Sequence, residues 1–218
     1  MIYVTSDIHN DSKRLRTLLK IIGFSSVDHL YILGDLFDRT EYNPDPVGVY
    51  FTILELGDRC TVIRGNHDTE LATYITNYYG TSEKKRSKLE PYQSNSFELL
   101  TKRFTPVDMV NLAKEIMTWP LQISFEYDNE KYLLAHAMTA NPKMCMPEEY
   151  YLTGVLDDAE YLEKGIEGYT SVCGHHGIGG NRIWKNSRGN VYMTDCGCGY
   201  RDGKLGCICI DSKEEYYV

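Results

Sequence analysis

The sequence predicts an α/β fold in which polar loops meet at one edge of a sheet. Three short apolar runs, at residues 2–4, 30–33 and 60–63, are typical of buried strands. Each run ends in a polar loop and leads towards a helical stretch, which is the strand–loop–helix order of α/β proteins. Because such folds place ligands beyond the carboxyl ends of their strands, we expect the functional residues in these loops.

The first two helices follow from the pattern between these strands. Residues 11–22 carry leucine and isoleucine at positions i, i+3, i+4 and i+7, which predicts one buried helical face. Asn10 or Asp11 can cap the start of this helix, and Gly23 suits its end. A turn with two prolines at residues 43–46 opens the second predicted helix.

The middle of the chain is predicted to be helical. Residues 69–118 read as helices with a charged interruption at residues 81–90. Thr105-Pro106 indicates a helix start, since threonine can cap a helix and proline fits its first position. No linker or repeat is visible. We therefore predict one domain, residues 1–218, with a helical insert at roughly residues 69–118 beside the sheet.

The last third of the chain returns to patterns that are typical of strands. The predicted elements are a hairpin of residues 121–127 and 131–135, a short helix near residues 157–164, a strand at residues 171–173, and a closing hairpin of residues 191–194 and 206–210. His136 and His175 each follow one of these strands, so they can join the polar loops of the N-terminal part.

The composition limits the classes of function. The net charge of −8 and the pI of about 5.3 argue against a surface that coats nucleic acid. No run approaches the ~18 consecutive apolar residues of a membrane span, and the N-terminus reads as a strand rather than a signal peptide. Seven cysteines are an odd number, so reduced thiols in a cytoplasmic protein are the simplest interpretation.

The polar side chains at the predicted strand ends share one chemistry. They are Asp7, His9, Asp35, Asn66, His136 and His175. Oxygen and imidazole donors without thiolates suit Mn, Fe or Zn. Six ligands are too many for one tetrahedral catalytic ion, but they suit two ions about 3.5–4 Å apart that share a carboxylate. Asp35 is the natural bridge, because it lies between the first loop and the later ones.

These loops form an ordered set of motifs. The set is Asp7-x-His9, Gly34-Asp35-x-x-Asp38-Arg39, Gly65-Asn66-His67-Asp68, a histidine after a strand, and Gly174-His175. In this order the chain resembles the calcineurin-like metallophosphoesterases, over nearly its whole length. Arg39 and the compact length resemble the phosphoprotein phosphatase branch, which includes small bacterial and phage serine/threonine phosphatases and bis(5′-nucleosyl)-tetraphosphatases. The resemblance implies a two-sheet sandwich flanked by helices, α/β/β/α.

The resemblance also implies a role for each residue. The implied ligands are Asp7, His9 and Asp35 for the first ion, and Asp35, Asn66, His136 and His175 for the second. His67 would protonate the leaving oxygen, and Asp38 would fix its tautomer. Arg39 would grip the phosphate oxygens, with Arg64 as a weaker candidate for the same contact.

Three functions are weighed on this basis. The first is a phosphomonoesterase with two divalent ions, Mn²⁺ or alternatively Fe or Zn, acting as a serine/threonine protein phosphatase through a metal-bridging hydroxide. The second is a hydrolase of dinucleoside polyphosphates of the diadenosine tetraphosphate type. The third is a non-catalytic module that binds phosphate or a nucleotide. An oriented acid at His67 favours the two enzymes, because a binding module does not need one.

Two features depart from the family pattern or leave alternatives open. Asp68 stands where the phosphatases usually have glutamate, and His176 follows His175 where they usually have threonine. His176 is either an unrelated pocket histidine or an extra metal ligand. The cysteines of two Cys-x-Cys pairs are Cys196, Cys198, Cys207 and Cys209. Their spacing favours a packed, reduced hairpin over a zinc site.

Overall fold

The structure is a computed structural model that describes residues 1–40, 42–154 and 159–218. Its strands are β1 (Ile2–Thr5), β2 (His29–Ile32), β3 (Cys60–Val62), β4 (Gln122–Tyr127), β5 (Glu130–Ala135), β6 (Thr170–Cys173), β7 (Trp184–Lys185), β8 (Val191–Met193), β9 (Gly206–Cys209) and β10 (Glu215–Tyr217). Its α-helices are α1 (Ser12–Ile21), α2 (Pro46–Leu56), α3 (Asn66–Gly80), α4 (Glu83–Arg86), α5 (Ser96–Thr101), α6 (Pro106–Ile116), α7 (Glu148–Thr153) and α8 (Ala159–Lys164).

The strands form two five-stranded mixed sheets. The first has the order β10-β9-β1-β2-β3, and the second has the order β4-β5-β6-β8-β7. Strands β1, β2 and β3 are parallel neighbours, as are β5, β6 and β8. In each sheet, the loops that follow these parallel strands therefore lie at the same edge, beyond the carboxyl ends of the strands.

The alternation of side chains along the strands builds three apolar layers. Val4 and Leu33 of the first sheet pack with Leu134 and Val172 of the second in a layer between the sheets. On the first sheet's other face, residues such as Leu30 pack against α1, α2, α3 and α6. A smaller cluster covers the outer face of the second sheet. This arrangement confirms the predicted α/β/β/α sandwich.

Local signals in the sequence place several helix ends correctly. The side chain of Asp11 accepts a hydrogen bond from the amide of Arg14 at the start of α1. Thr105 and Asp108 form the capping box at the start of α6. Helices α3–α6 occupy the chain between β3 and β4, where the helical insert is predicted. Their standing as an insert within a single domain stays a prediction.

The predicted closing hairpin is wrong. Strand β8 lies in the second sheet beside β6, whereas β9 lies in the first sheet beside β1. A short apolar run identifies a strand but not its partner, and here the chain crosses between the sheets. The four cysteines therefore do not face one another as two pairs. Cys196 packs between the sheets, and Cys198, Cys207 and Cys209 pack on the helical side of the first sheet.

Two further expectations concern helices. The predicted short helix near residues 157–164 corresponds to α8, and residues 157 and 158 lie outside the described residues. Among the described residues, none of the helices has both the length and the apolar character needed to cross a bilayer.

Candidate metal centre

The loops after β1 and β2 run side by side at the carboxyl edge of the first sheet. The amide of Asp7 donates to the carbonyl of Gly34 (3.0 Å), and the amide of His9 donates to the carbonyl of Asp35 (3.0 Å). These bonds extend the parallel pairing of the two strands into the loops. Asp7, His9 and Asp35 are thereby brought together although they are distant in the sequence.

Six predicted site residues have backbone angles in the left-handed region, which non-glycine residues rarely adopt. They are Asp7 (φ 52°), His9 (49°), Asp35 (54°), Asp38 (69°), Arg39 (59°) and His175 (61°). Such conformations cost about 1–3 kcal/mol each and persist where the surrounding structure imposes them. The fold therefore holds these loops in conformations that place the side chains, at a cost in stability.

The first group of candidate ligands is Asp7, His9 and Asp35. The Nε2 atom of His9 lies 3.8 Å from Asp7 Oδ1 and 3.8 Å from Asp35 Oδ2, and all three side chains are buried. The other ring nitrogen of His9, Nδ1, lies 3.0 Å from the carbonyl oxygen of Phe37. Because that carbonyl can only accept a hydrogen bond, Nδ1 carries the proton. Nε2 therefore keeps its lone pair, which could bind a metal ion.

The second group is Asp35, His136 and His175, whose candidate ligand atoms lie within 4.8 Å of one another. His136 Nε2 is 3.4 Å from Asp35 Oδ1. The side-chain oxygen of Asn66 lies 3.0 Å from the same His136 nitrogen. The two oxygens of Asp35 therefore face different histidines, His9 on one side and His136 on the other.

The protonation of the histidines follows from burial and from Asp35. Burial lowers the pKa of His9 and of His175 to about 3, so both are neutral at physiological pH. Burial would also lower the pKa of His136, but the adjacent Asp35 carboxylate raises it to about 10. A metal ion that binds His136 must therefore displace a proton.

Four buried polar atoms of the candidate ligands have no hydrogen-bond partner among the described residues. They are Asp7 Oδ1, His9 Nε2, Asp35 Oδ2 and His175 Nδ1. Leaving such atoms unpaired inside a protein is costly. Carboxylate oxygens and imidazole nitrogens in this number fit two divalent metal ions that share Asp35.

Asp68, which replaces the usual glutamate of the phosphatases, holds the backbone of two loops together. Its carboxylate accepts hydrogen bonds from the amides of Asp35 (2.9 Å), Leu36 (2.9 Å) and Gly65 (3.1 Å). It therefore ties the Asp35 loop to the start of α3. The sequence signals only the bond to Gly65, because an acidic residue at the third position of a helix can cap the free amides there.

His67 lies at the open side of this centre, between a carboxylate and an arginine. Its Nδ1 atom is 3.5 Å from Asp38 Oδ2, and its Nε2 atom is 3.3 Å from a guanidinium nitrogen of Arg39. Burial is the largest single influence and lowers the pKa of His67, but the carboxylates of Asp38 and Asp35 together outweigh it and the pKa is raised. The hydroxyl of Tyr92 donates to the same Asp38 oxygen, and the hydroxyl of Ser96 lies 2.8 Å from the Asp38 amide.

A cavity of about 640 Å³ opens in front of His67 and Arg39. Its wall includes the aromatic rings of Tyr74 and Tyr92, whose centroids are 4.9 Å apart. A larger cavity of about 960 Å³ lies between α2 and α6, but it contains none of the predicted site residues. The smaller cavity is therefore the relevant one, because it adjoins the candidate chemistry.

Two predicted residues have other partners. The guanidinium of Arg64 is buried and forms an ion pair with Glu148 (3.0 Å). His176 Nε2 lies 2.6 Å from the carbonyl oxygen of Gly154. Neither of the two groups of candidate ligands found among the described residues includes His176 or any cysteine.

A known protein family matches most of the chain. A model of the calcineurin-like phosphoesterase family matches residues 1–195. The chain belongs to this family. Membership confirms the predicted class of fold and identifies a phosphoester hydrolase. Calcineurin-like phosphoesterases typically bind two divalent metal ions, in agreement with the two groups of ligands that share Asp35.

Two relatives of this chain have the same name. A protein of Nitrosomonas europaea named bis(5′-nucleosyl)-tetraphosphatase, symmetrical, is 36% identical over 70 residues, which are 32% of this chain and 25% of that protein. A protein of the same name from Vibrio parahaemolyticus is 25% identical over 136 residues, which are 62% of this chain and 43% of that protein. The chain thus spans less than half the length of these relatives.

A solved structure extends the likeness to the fold. The crystal structure of a protein proposed to be a diadenosine tetraphosphatase matches with a TM-score of 0.71 at 19% identity. The match covers 100% of this chain and 92% of that one. At this identity the likeness shows a shared fold alone.

Proposed function

We propose that this calcineurin-like phosphoesterase hydrolyses dinucleoside polyphosphates, cleaving diadenosine tetraphosphate into two ADP molecules. The observation that carries the proposal is the aromatic cavity in front of His67 and Arg39. The names of the two relatives support the same substrate class. They favour it over a serine/threonine protein phosphatase, the first of the functions weighed from the sequence.

The size and walls of the cavity suit a nucleoside. Its volume of about 640 Å³ lies within the range of small-molecule sites. The rings of Tyr74 and Tyr92 can stack against a base, because aromatic faces pair with flat π-systems. Glu70 and Glu90 also line the cavity and can accept hydrogen bonds from the amino groups of a base. A phosphoserine side chain would use none of these features.

The proposed ligands divide into two sets that share a carboxylate. Asp7, His9 and Asp35 would hold one divalent ion, and Asp35, Asn66, His136 and His175 would hold the other. When bound, the two ions would offset the charge of the phosphates and lower the pKa of a water molecule. The buried carboxylates and neutral imidazoles of the chain position both ions.

Arg39 and His67 act on the substrate from the open side of the centre. Arg39 can form paired hydrogen bonds with phosphate oxygens through its planar guanidinium. Its Nη2 atom now lies 3.3 Å from His67 Nε2. A phosphate that draws Arg39 away would free the lone pair of Nε2 to take up a proton, and Nε2 would then donate that proton to the leaving oxygen while Asp38 holds Nδ1.

The nature of the leaving group separates the two candidate substrates. An alkoxide from phosphoserine is a strong base and needs a proton as it leaves. A nucleoside diphosphate leaves as a stable anion, so it depends less on the acid at His67. The loss of rate on substitution of His67 should therefore be larger for a phosphoserine substrate than for a dinucleoside polyphosphate.

The test compares kcat/KM for diadenosine tetraphosphate and for a phosphoserine peptide, with Mn²⁺ added to the purified protein. We expect the higher value for the dinucleotide, with ADP as the product by ion-exchange chromatography. A higher value for the peptide would refute the proposal and restore the protein phosphatase. Products ATP and AMP would refute cleavage at the central anhydride.

A further inference from the structure

Two tyrosines stand apart from the others in their exposure. The chain has 18 tyrosines, all within the part that the structure describes. Of these, only Tyr42 and Tyr200 expose more than half of their surface, 54% and 58% respectively. Large aromatic side chains are seldom left in water without a partner or ligand when they occur together.

Both exposed tyrosines line the same cavity, which has a volume of about 400 Å³. Arg14 in its wall pairs with the carboxylate of Asp11 (3.5 Å), and Arg201 adds a further cationic side chain. This wall carries a net positive charge on a protein whose overall charge is −8. Aromatic faces beside guanidinium groups are suited to a base that is attached to phosphates.

Arg39 connects this second cavity to the candidate active site. Arg39 lines the cavity in front of His67, and its guanidinium carbon lies 5.4 Å from the centre of the Tyr200 ring. Thr40, the next residue, lines the second cavity, and its hydroxyl donates to the carbonyl of Gly199 (3.0 Å). The two cavities therefore adjoin the same Arg39–Thr40 segment, and both are within reach of phosphates held by Arg39.

We propose that the cavity lined by Tyr42 and Tyr200 binds the second nucleoside of the dinucleoside polyphosphate. The first nucleoside occupies the cavity lined by Tyr74 and Tyr92, and the phosphate chain passes Arg39 between them. This assignment rests on the proposed function. It adds that the enzyme recognises both ends of its substrate, so that a nucleotide with a single nucleoside is the poorer substrate.

The test compares diadenosine tetraphosphate with adenosine tetraphosphate, which has the same number of phosphates but one nucleoside. The readout is the ratio of their kcat/KM values in the wild type and in Tyr42→Leu and Tyr200→Leu. Loss of stacking should lower this ratio about 10-fold in each variant. Tyr200→Leu can also disturb Arg39, but such an effect acts on both substrates and cancels in the ratio.

Phe51→Leu is the matched control, because Phe51 is an exposed aromatic residue (46%) that lines the separate cavity between α2 and α6. Its ratio should equal that of the wild type. A ratio within about twofold of the wild type in both tyrosine variants would overturn the second nucleoside site alone. Absence of turnover of both nucleotides by the wild type would refute the proposed function, and this inference with it.

Discussion

The two sides of His67 are built in different ways. On one side lies what we propose to be the metal-ligating edge, defined by Asp7, His9 and Asp35, whose side chains are fully buried. All three residues have left-handed backbone angles. On the other side lies the aromatic wall, defined by Tyr74 and Tyr92, which are half-buried and line an open cavity.

The difference separates chemistry from recognition. At the metal-ligating edge, the candidate ligands are held by the backbone of several loops and are grouped around Asp35. One substitution there should therefore weaken the binding of both metal ions. At the aromatic wall, each ring contributes surface for contact, so a substitution removes one contribution and leaves the others. We therefore expect substitutions at the edge to lower turnover strongly and those at the wall to act weakly or on substrate preference.

The largest expected effect is that of Asp35→Asn, since this carboxylate faces both groups of ligands. An amide is a poorer ligand and carries no charge to offset a divalent ion. We expect loss of both ions by elemental analysis and turnover at background. Two bound ions in the variant would show that Asp35 is not the bridge.

The next effect is that of His67→Asn, which tests the group between the two regions. For a phosphoserine peptide we expect a loss of several hundred-fold in kcat, within the usual range of general-acid catalysis. For diadenosine tetraphosphate the loss should be much smaller, since its leaving group is a stable anion. Metal content should not change. Equal losses on the two substrates would contradict the proposed role of His67 as the acid.

A smaller effect is expected for Asp68→Asn, which keeps the size of the side chain but can accept fewer hydrogen bonds. Residues that orient ligands typically contribute 10–100-fold to metal affinity, and we expect a loss in this range by metal titration. Asp108→Asn is the control, because Asp108 has the same position in the capping box of α6. Equal effects of the two substitutions on metal affinity would mean that Asp68 is only a helix cap.

The sequence reveals the metal-ligating edge better than the aromatic wall. Asp7 and Asp35 are predictable because parallel strands bring their ends to one edge, whatever the details of packing. The tie between Asp68 and the Asp35 loop, and that between Tyr92 and Asp38, depend on hydrogen bonds between distant segments. A pattern along the chain contains no signal for such bonds.

The same limit explains Arg64. Its position next to the Gly65-Asn66-His67 motif suggests a contact with phosphate. The structure adds a partner that this position does not indicate, since Glu148, from a helix far along the chain, pairs with its guanidinium. The partner of a long side chain is decided by tertiary packing, which neighbours in the sequence do not reveal.

The Asp38→Asn variant tests, through the pH dependence of kcat, whether Asp38 keeps His67 protonated. Asp38 raises the pKa of His67 against the opposing effect of burial, so His67 stays protonated to a higher pH. Without that charge the pKa falls, and the fall of kcat on the alkaline side of the profile should move to lower pH. The measurement is kcat for a phosphoserine peptide across pH. An unmoved alkaline limb would mean that His67 does not donate the proton.

The smallest effect is expected for Tyr92→Phe, which keeps the ring and removes only the hydroxyl that donates to Asp38. A hydrogen bond to a charged group contributes about 1.5–3 kcal/mol. Because this bond acts on the reaction only through Asp38 and His67, we expect about 1 kcal/mol of it in kcat for a phosphoserine peptide, which is a fall of roughly fivefold, while KM for diadenosine tetraphosphate stays the same. Tyr74→Leu is the counterpart, because it removes a ring of the wall for which no contact with Asp38 is seen among the described residues. It should raise KM and leave kcat nearly unchanged. If Tyr92→Phe raised KM instead, the hydroxyl would contribute to substrate binding. The separation of catalysis from substrate binding on the two sides of His67 would then not hold for Tyr92.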